Sequence, residues 1–139
     1  MIALDVGEAR IGVARGDLGS AFAFGRGWIV RRSLAEDIAA VESLLEQEGA
    51  KRVVVGLPRR SDGLDSAQTT RVRDFAAQLE AAGLEIVFED ERFTTRIATR
   101  GLVQSGLPKK KRQEKGRLDE AAAILILETY LRRTRSDTG

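Results

Sequence analysis

Asp5 closes an apolar run, Met1-Ile2-Ala3-Leu4-Asp5-Val6-Gly7. Such a run reads as a strand buried on both faces of a sheet, where a lone acid is costly unless something pairs it. Hydrogen bonds to nearby turn amides would satisfy it, and so would a metal ion or phosphate chemistry. Two further acidic sites stand out, Glu89-Asp90-Glu91 and Asp119. Three acids in a row repel one another unless a cation lies close, and Arg92 or a metal would serve. Asp119 falls near the start of a helix, where an acid suits the helix dipole as a simple cap. Yet Ala121 to Leu127 is wholly apolar, and Ala122, Ala123, Ile126 and Tyr130 form one stripe. A carboxylate on that stripe points at the protein rather than at water. Two or three convergent carboxylates bind Mg²⁺ or Mn²⁺ through oxygen. A pair of such ions activates water and stabilises the leaving oxygen of a phosphodiester.

Composition agrees with that chemistry by exclusion. The 139 residues contain no Cys and no His. Thiolate chemistry, disulfides, Ser-His triads and the usual zinc sites are therefore excluded. Hydrophobic residues make up 42% and charged residues 32%, as in a soluble globular domain. No apolar run approaches the roughly 20 residues of a membrane helix. No membrane partner and no signal peptide are expected, and the lack of Cys is compatible with a cytoplasmic protein. The net charge is +2 and the isoelectric point about 9.3, so the distribution of charge matters more than its sum.

The elements that must position these acids follow from periodicity and breakers. Met1 to Gly7 and Ile11 to Arg15 are strands joined by a turn too short for anything but an antiparallel pair. Gly25-Arg26-Gly27 reads as a break before a third strand, Trp28 to Val30. Ser33 caps a helix, with Glu36 completing a capping box, and Gly49 ends it. Arg52 to Leu57 is a buried strand closed by Pro58, and a loop follows through Arg59-Arg60-Ser61-Asp62-Gly63. A helix runs from about Ser66 to Ala82, and a fifth strand from Leu84 to Phe88. A helix capped by Thr94 or Thr95 covers Ile97 to Gln104. After a basic loop, a last helix covers about Leu118 to Arg133. Residues 1–134 are expected to form one domain, with 135–139 a frayed tail.

This order predicts an α/β fold, a five-stranded mixed sheet in the order 3-2-1-4-5 with helices on both faces. It is the element order of the ribonuclease H-like fold. One strand then separates Asp5 from the acids after strand five, about 10 Å away in backbone. The intervening strand ends in Gly56, which has no side chain to fill the gap. Strand alternation sets Glu89 and Glu91 on one face and Asp90 on the other, and does not choose among them.

Four segments resemble the YqgF (RuvX) family. They are Asp5-Val6-Gly7-Glu8-Ala9-Arg10-Ile11-Gly12-Val13-Ala14, then Gly56-Leu57-Pro58 with Asp62-Gly63, then Asp90-Glu91-Arg92-Phe93-Thr94-Thr95, and last Asp119-Glu120-Ala121-Ala122 with Ile124-Leu125. They appear in order and span nearly the whole chain. The family is a RuvC-like branch of the ribonuclease H fold. The resemblance implies a metal-dependent nuclease that matures the 5′ end of pre-16S ribosomal RNA, or a Holliday junction resolvase. By that resemblance Asp5, Glu91 and Asp119 are the catalytic, metal-binding carboxylates, with Asp90 supporting them from behind. The choice of Glu91 over its neighbours rests on the family pattern. One departure is Arg59-Arg60-Ser61, where many members carry a polar stretch with an Asn.

Lys109, Lys110, Lys111, Arg112, Lys115 and Arg117 fall within nine residues, with Glu114 the only acid among them. Such a run is often just a solvated loop. This one leads into Asp119, and a polyanion needs cations to approach a carboxylate cluster, so it is expected to grip phosphates. Arg10, Arg59, Arg60 and Arg92 flank the same strand ends and are expected to add contacts. Phe22, Phe24 and Trp28 are expected in the core, which leaves no stacking platform for bases. The expected partner is structured RNA or branched DNA. A homodimer would suit junction cleavage, whereas RNA trimming requires none. Two other readings remain: a non-catalytic nucleic-acid-binding module, and an actin-like ATPase, which would need a second such domain.

Overall fold

The computed structural model describes residues 1–58, 64–90 and 111–138, with side chains of the last segment described from 114 to 134. The expected helix over 97–104, the 59–63 loop, Glu91, Arg92, Lys109 and Lys110 lie outside the described residues. Five strands form one sheet: β1 (Ile2–Val6), β2 (Arg10–Gly16), β3 (Ala23–Val30), β4 (Arg52–Leu57) and β5 (Glu85–Asp90). Its order is β3-β2-β1-β4-β5, as the alternation of elements predicts. β1 pairs antiparallel with β2 and parallel with β4, and β4 pairs parallel with β5.

Alternation along the strands divides the core in two. Ile2, Leu4, Val6, Val53, Val55 and Leu57 pack under α1 (Leu34–Glu48) and α2 (Ala67–Ala81), against Val41, Leu45, Val72 and Phe75. Ala3, Ala14 and Val54 face α3 (Lys111–Thr138), against Ala123, Ile126 and Leu127. Small residues dominate the sheet side of this second layer, so the helix lies close to the strands. Ser33 and Ser66 cap α1 and α2 by accepting the N–H groups of Glu36 and Thr69. Gly49 ends α1 in a left-handed conformation, at φ 65°, which costs a residue without Cβ little.

Four expectations are corrected. β3 does not break at Gly25-Arg26-Gly27 but starts at Ala23 and runs through it. Gly25 makes room there, since a Cβ on it would stand 2.5 Å from the Glu120 carboxyl group. β5 continues to Asp90, so Glu89 and Asp90 are part of the strand and do not lie beyond its end. α3 begins at Lys111, which places part of the basic stretch on a helix instead of a loop. Phe22 and Phe24, just before and at the start of the edge strand β3, are 63% and 62% exposed; Trp28 alone of the three is partly covered, against Gly116.

Candidate functional site

β1 delivers Asp5 one residue before the strand ends. Asp5 alternates with Leu4 and Val6 and shares the face of Ala3, which is the α3 face. Its neighbour across the ladder is Gly12 of β2. Neighbours across a ladder share a face, and a Cβ on Gly12 would stand 1.9 Å from the backbone oxygen of Asp119. Only glycine allows the helix this near. Gly12 thus sets Asp119 beside the position of Asp5, on one face and at one end of the sheet.

Arg10 lies two residues before Gly12 and on the same face. Its Nε donates to Asp119 Oδ2 at 2.9 Å, and both side chains are about four-fifths covered, at 21% and 23% exposure. Burial pushes the Asp119 carboxyl above the usual aspartate range, and the hydrogen bond and charge of Arg10 pull it partly back. Asp119 is therefore no solvated helix cap. It is a carboxylate held in a covered place, where a cation would stabilise its ionised form.

The fifth-strand acids separate in space. Gly56 pairs with Glu89 and Leu57 with Asp90. Leu57 belongs to the α1 and α2 layer, so Asp90 takes that face and Glu89 the α3 face. Ala3 pairs with Val54 and Leu4 with Val55. Continued by one residue, this register sets Asp5, Gly56 and Glu89 in one row across the sheet. Glu89 is buried and bound by the Arg133 guanidinium from α3, a partner that the sequence reading missed. Of the basic residues, Lys115 and Arg117 stand exposed on α3 close to Asp119, while Lys111 and Arg112 lie in its first turn. Among the described residues no three acids converge closely enough to hold a metal ion. Asp5 and Asp119 supply oxygen donors, and in a chain without His or Cys they suit a hard divalent cation.

The turn between β1 and β2 is tight: Gly7 N–H donates to the Arg10 carbonyl at 2.9 Å. On its other side Arg31 Nη1 donates to the Gly7 carbonyl at 2.8 Å, and Arg31 Nε to Asp37 Oδ2 at 2.9 Å. The turn after Asp5 is thus clamped from both faces by an arginine held on an aspartate.

A family model described as "RuvX: Holliday junction resolvase" matches residues 1–133. A Thermus thermophilus protein named "Putative pre-16S rRNA nuclease" is 48% identical over 131 residues, covering 94% of this chain and 96% of its own. A Koribacter versatilis protein of the same name is 41% identical over 138 residues, covering 99% and 89%. Among solved structures, T. thermophilus RuvC in complex with a Holliday junction substrate superposes with a TM-score of 0.60 at 15% identity, over 98% of this chain and 96% of that one. At that identity the likeness shows the fold, which is RuvC-like and hence ribonuclease H-like.

Proposed function

Since the chain belongs to the RuvX family, we propose that it is a divalent-metal-dependent nuclease that hydrolyses phosphodiester bonds of structured nucleic acid, and that its substrate is the 5′ end of pre-16S ribosomal RNA. The observation that carries the reading is the packing of the Asp119 backbone against Gly12, the ladder partner of Asp5, at one end of the sheet. The relatives named as pre-16S rRNA nucleases support the choice of RNA. Work on ribosomal RNA would place the protein in the cytoplasm, and no described helix is long and apolar enough to cross a membrane.

Asp5, Asp119 and Glu91 would hold Mg²⁺ or Mn²⁺, which when bound activates the attacking water and stabilises the leaving oxygen. The fates of the other fifth-strand acids support Glu91. Asp90 faces the opposite layer, and Glu89 is bound by Arg133. Glu91 is two residues beyond Glu89 in the chain. Arg10 orients Asp119 through Nε. Lys115 and Arg117, with Lys109, Lys110, Lys111, Arg112, Arg59, Arg60 and Arg92, would lower the repulsion between the phosphate backbone and the acids. Residues 1–134 act as one domain, because the sheet begins with β1 and α3 covers it.

Cleavage by the purified protein and by Asp5→Asn of a labelled pre-16S precursor and a labelled four-way DNA junction, in Mg²⁺, Mn²⁺ or EDTA, tests the proposal. Metal-dependent cutting of the RNA, lost in Asp5→Asn with an unchanged melting temperature, is the expected result. Preference for the junction would make the enzyme a resolvase. Binding without cutting in either metal would reduce it to a non-catalytic module.

A further inference from the structure

On the face of the sheet opposite α3, but at the same end, lies an open cavity of about 360 Å³. Its walls include Gly7 and Glu8 of the turn after β1, Arg31, Arg32 and Asp37 at the start of α1, and Arg71 of α2. We propose that this cavity binds backbone phosphates of the nucleic acid strand whose cleavage is proposed above, next to the scissile one; the proposal rests on that reading of the site.

Three guanidinium groups face two carboxylates here, and the carboxylates are engaged in ways that leave cationic capacity over. Asp37 is 3% exposed. It accepts from Arg31 Nε through one oxygen and from the Arg32 backbone N–H through the other, both at 2.9 Å. Arg31 is fixed further by the Gly7 carbonyl and by the Phe75 ring, 5.0 Å from its Cζ. This leaves Arg31 Nη2 without a hydrogen bond among the described residues. The Arg32 guanidinium has no ion pair among them either. Arg71 pairs with Glu8 at 2.9 Å, with side chains 59% and 71% exposed. An exposed pair of this kind is worth little, so a phosphate can displace Glu8. Arginine suits that role because its planar fork matches phosphate oxygens.

The clamp on the turn accounts for Arg31 and Asp37. It does not account for Arg32, for Arg71 or for the open volume between them, which falls within the range of ligand sites. Position supplies the ligand's identity. Gly7, two residues after Asp5, lines this cavity, and its carbonyl holds Arg31. A strand that lays one phosphate at Asp5 and Asp119 and crosses the end of the sheet over Gly7 and Glu8 brings neighbouring phosphates to Arg71 and Arg32.

The test is the affinity of the full chain for a fluorescently labelled pre-16S 5′ precursor RNA, in EDTA, across a series of KCl concentrations. Wild type is compared with Arg32→Gln/Arg71→Gln, and with Lys51→Gln at the far end of β4 as control. The double variant is expected to keep the wild-type melting temperature, because both side chains are exposed. Its Kd should rise at least tenfold, and the slope of log K against log salt should fall by about 1.5–2, the value for two phosphate contacts. Lys51→Gln should change neither quantity. An unchanged Kd, or a raised Kd with an unchanged salt slope, overturns the proposal. Cleavage is measured separately. A wild type that cuts, with a double variant that binds normally, fails this proposal and keeps the nuclease; a wild type that never cuts, with a double variant of weakened binding and reduced slope, does the reverse.

Discussion

Arg10 acts on Asp119 against the effect of burial. Burial raises the carboxyl's proton affinity, and the guanidinium lowers it again. A carboxylate must be ionised to hold a divalent cation, so under the proposed mechanism activity should fall as pH falls through the Asp119 value. With Arg10→Gln the lowering influence goes and the desolvation stays. The acid limb of the pH–kcat profile should then move to higher pH, and metal affinity at fixed pH should fall about 10–100-fold, as for other residues that orient a metal ligand. A titration of Mn²⁺ followed by its paramagnetic signal, beside the pH profile, reads both effects. If Arg10 instead only touched phosphate, KM for the RNA would rise while the acid limb and the Mn²⁺ affinity stayed where they are. The same residue thus separates support of a carboxylate from support of the substrate.

At the scale of the elements, Asp119 is placed by the docking of α3 on β2 and β3, and that docking depends on glycines of unequal consequence. A Cβ on Gly12 meets the backbone of Asp119 and Glu120 at 1.9–2.8 Å, and backbone has little freedom to yield. A Cβ on Gly25 meets the tip of the Glu120 side chain, which can swing away. Gly12→Ala should therefore cost about 1–3 kcal/mol of stability or more, as overpacking does, and lower kcat by displacing Asp119. Gly25→Ala should cost less and largely spare kcat. Urea unfolding of both variants beside their cleavage rates checks this, and equal losses would deny Gly12 its special place. Much of this element-level design was legible in the sequence. The apolar runs, the capping serines and Gly49 define β1, β4, α1 and α2, because local chemistry determines where they start and stop. Motif resemblance put forward Asp5 and Asp119 as one site, and Gly12 lies between the ladder position of the one and the backbone of the other. What the sequence did not reveal depends on packing between distant segments. Gly25 and Gly27 read as a break, although Gly25 gives space to Glu120 of α3 and Gly27 takes a positive φ within the strand. Phe22 and Phe24 read as core although they lie just before and within the edge strand. Arg31, Arg32 and Arg71 lie up to about 40 residues apart, and no periodicity announces that α1 and α2 bring them to one cavity beside Gly7; the only signal was a pair of arginines just ahead of the cap Ser33.

For the whole molecule, a net charge of +2 is too small to draw in a polyanion, so attraction must come from where the charges sit. Many acids of the described residues are held by arginine: Glu48 by Arg15 and Arg26, Asp37 by Arg31, Glu85 by Arg52 and Glu89 by Arg133. The cationic stretch from Lys109 to Arg117 contains one acid and leads directly to Asp119. Replacing its six basic residues by Gln should lower the salt slope of RNA binding by up to about 5, at roughly 0.9 per phosphate contact on a duplex. The stretch leads into α3, on one side of the sheet, and the Arg32 and Arg71 cavity lies on the other. No atom of one group need touch the other, so losses at distant sites should add. A variant carrying all eight substitutions should lose the sum of the two slope changes if a single RNA spans the end of the sheet and reaches both groups at once. If it loses no more than the six-fold variant alone, the substrate stays on the α3 side, and the strand path over Gly7 and Glu8 is wrong even where each group binds RNA by itself. Fluorescence titration of the four proteins with one RNA, over one range of KCl, decides between a strand that crosses the sheet end and one that does not.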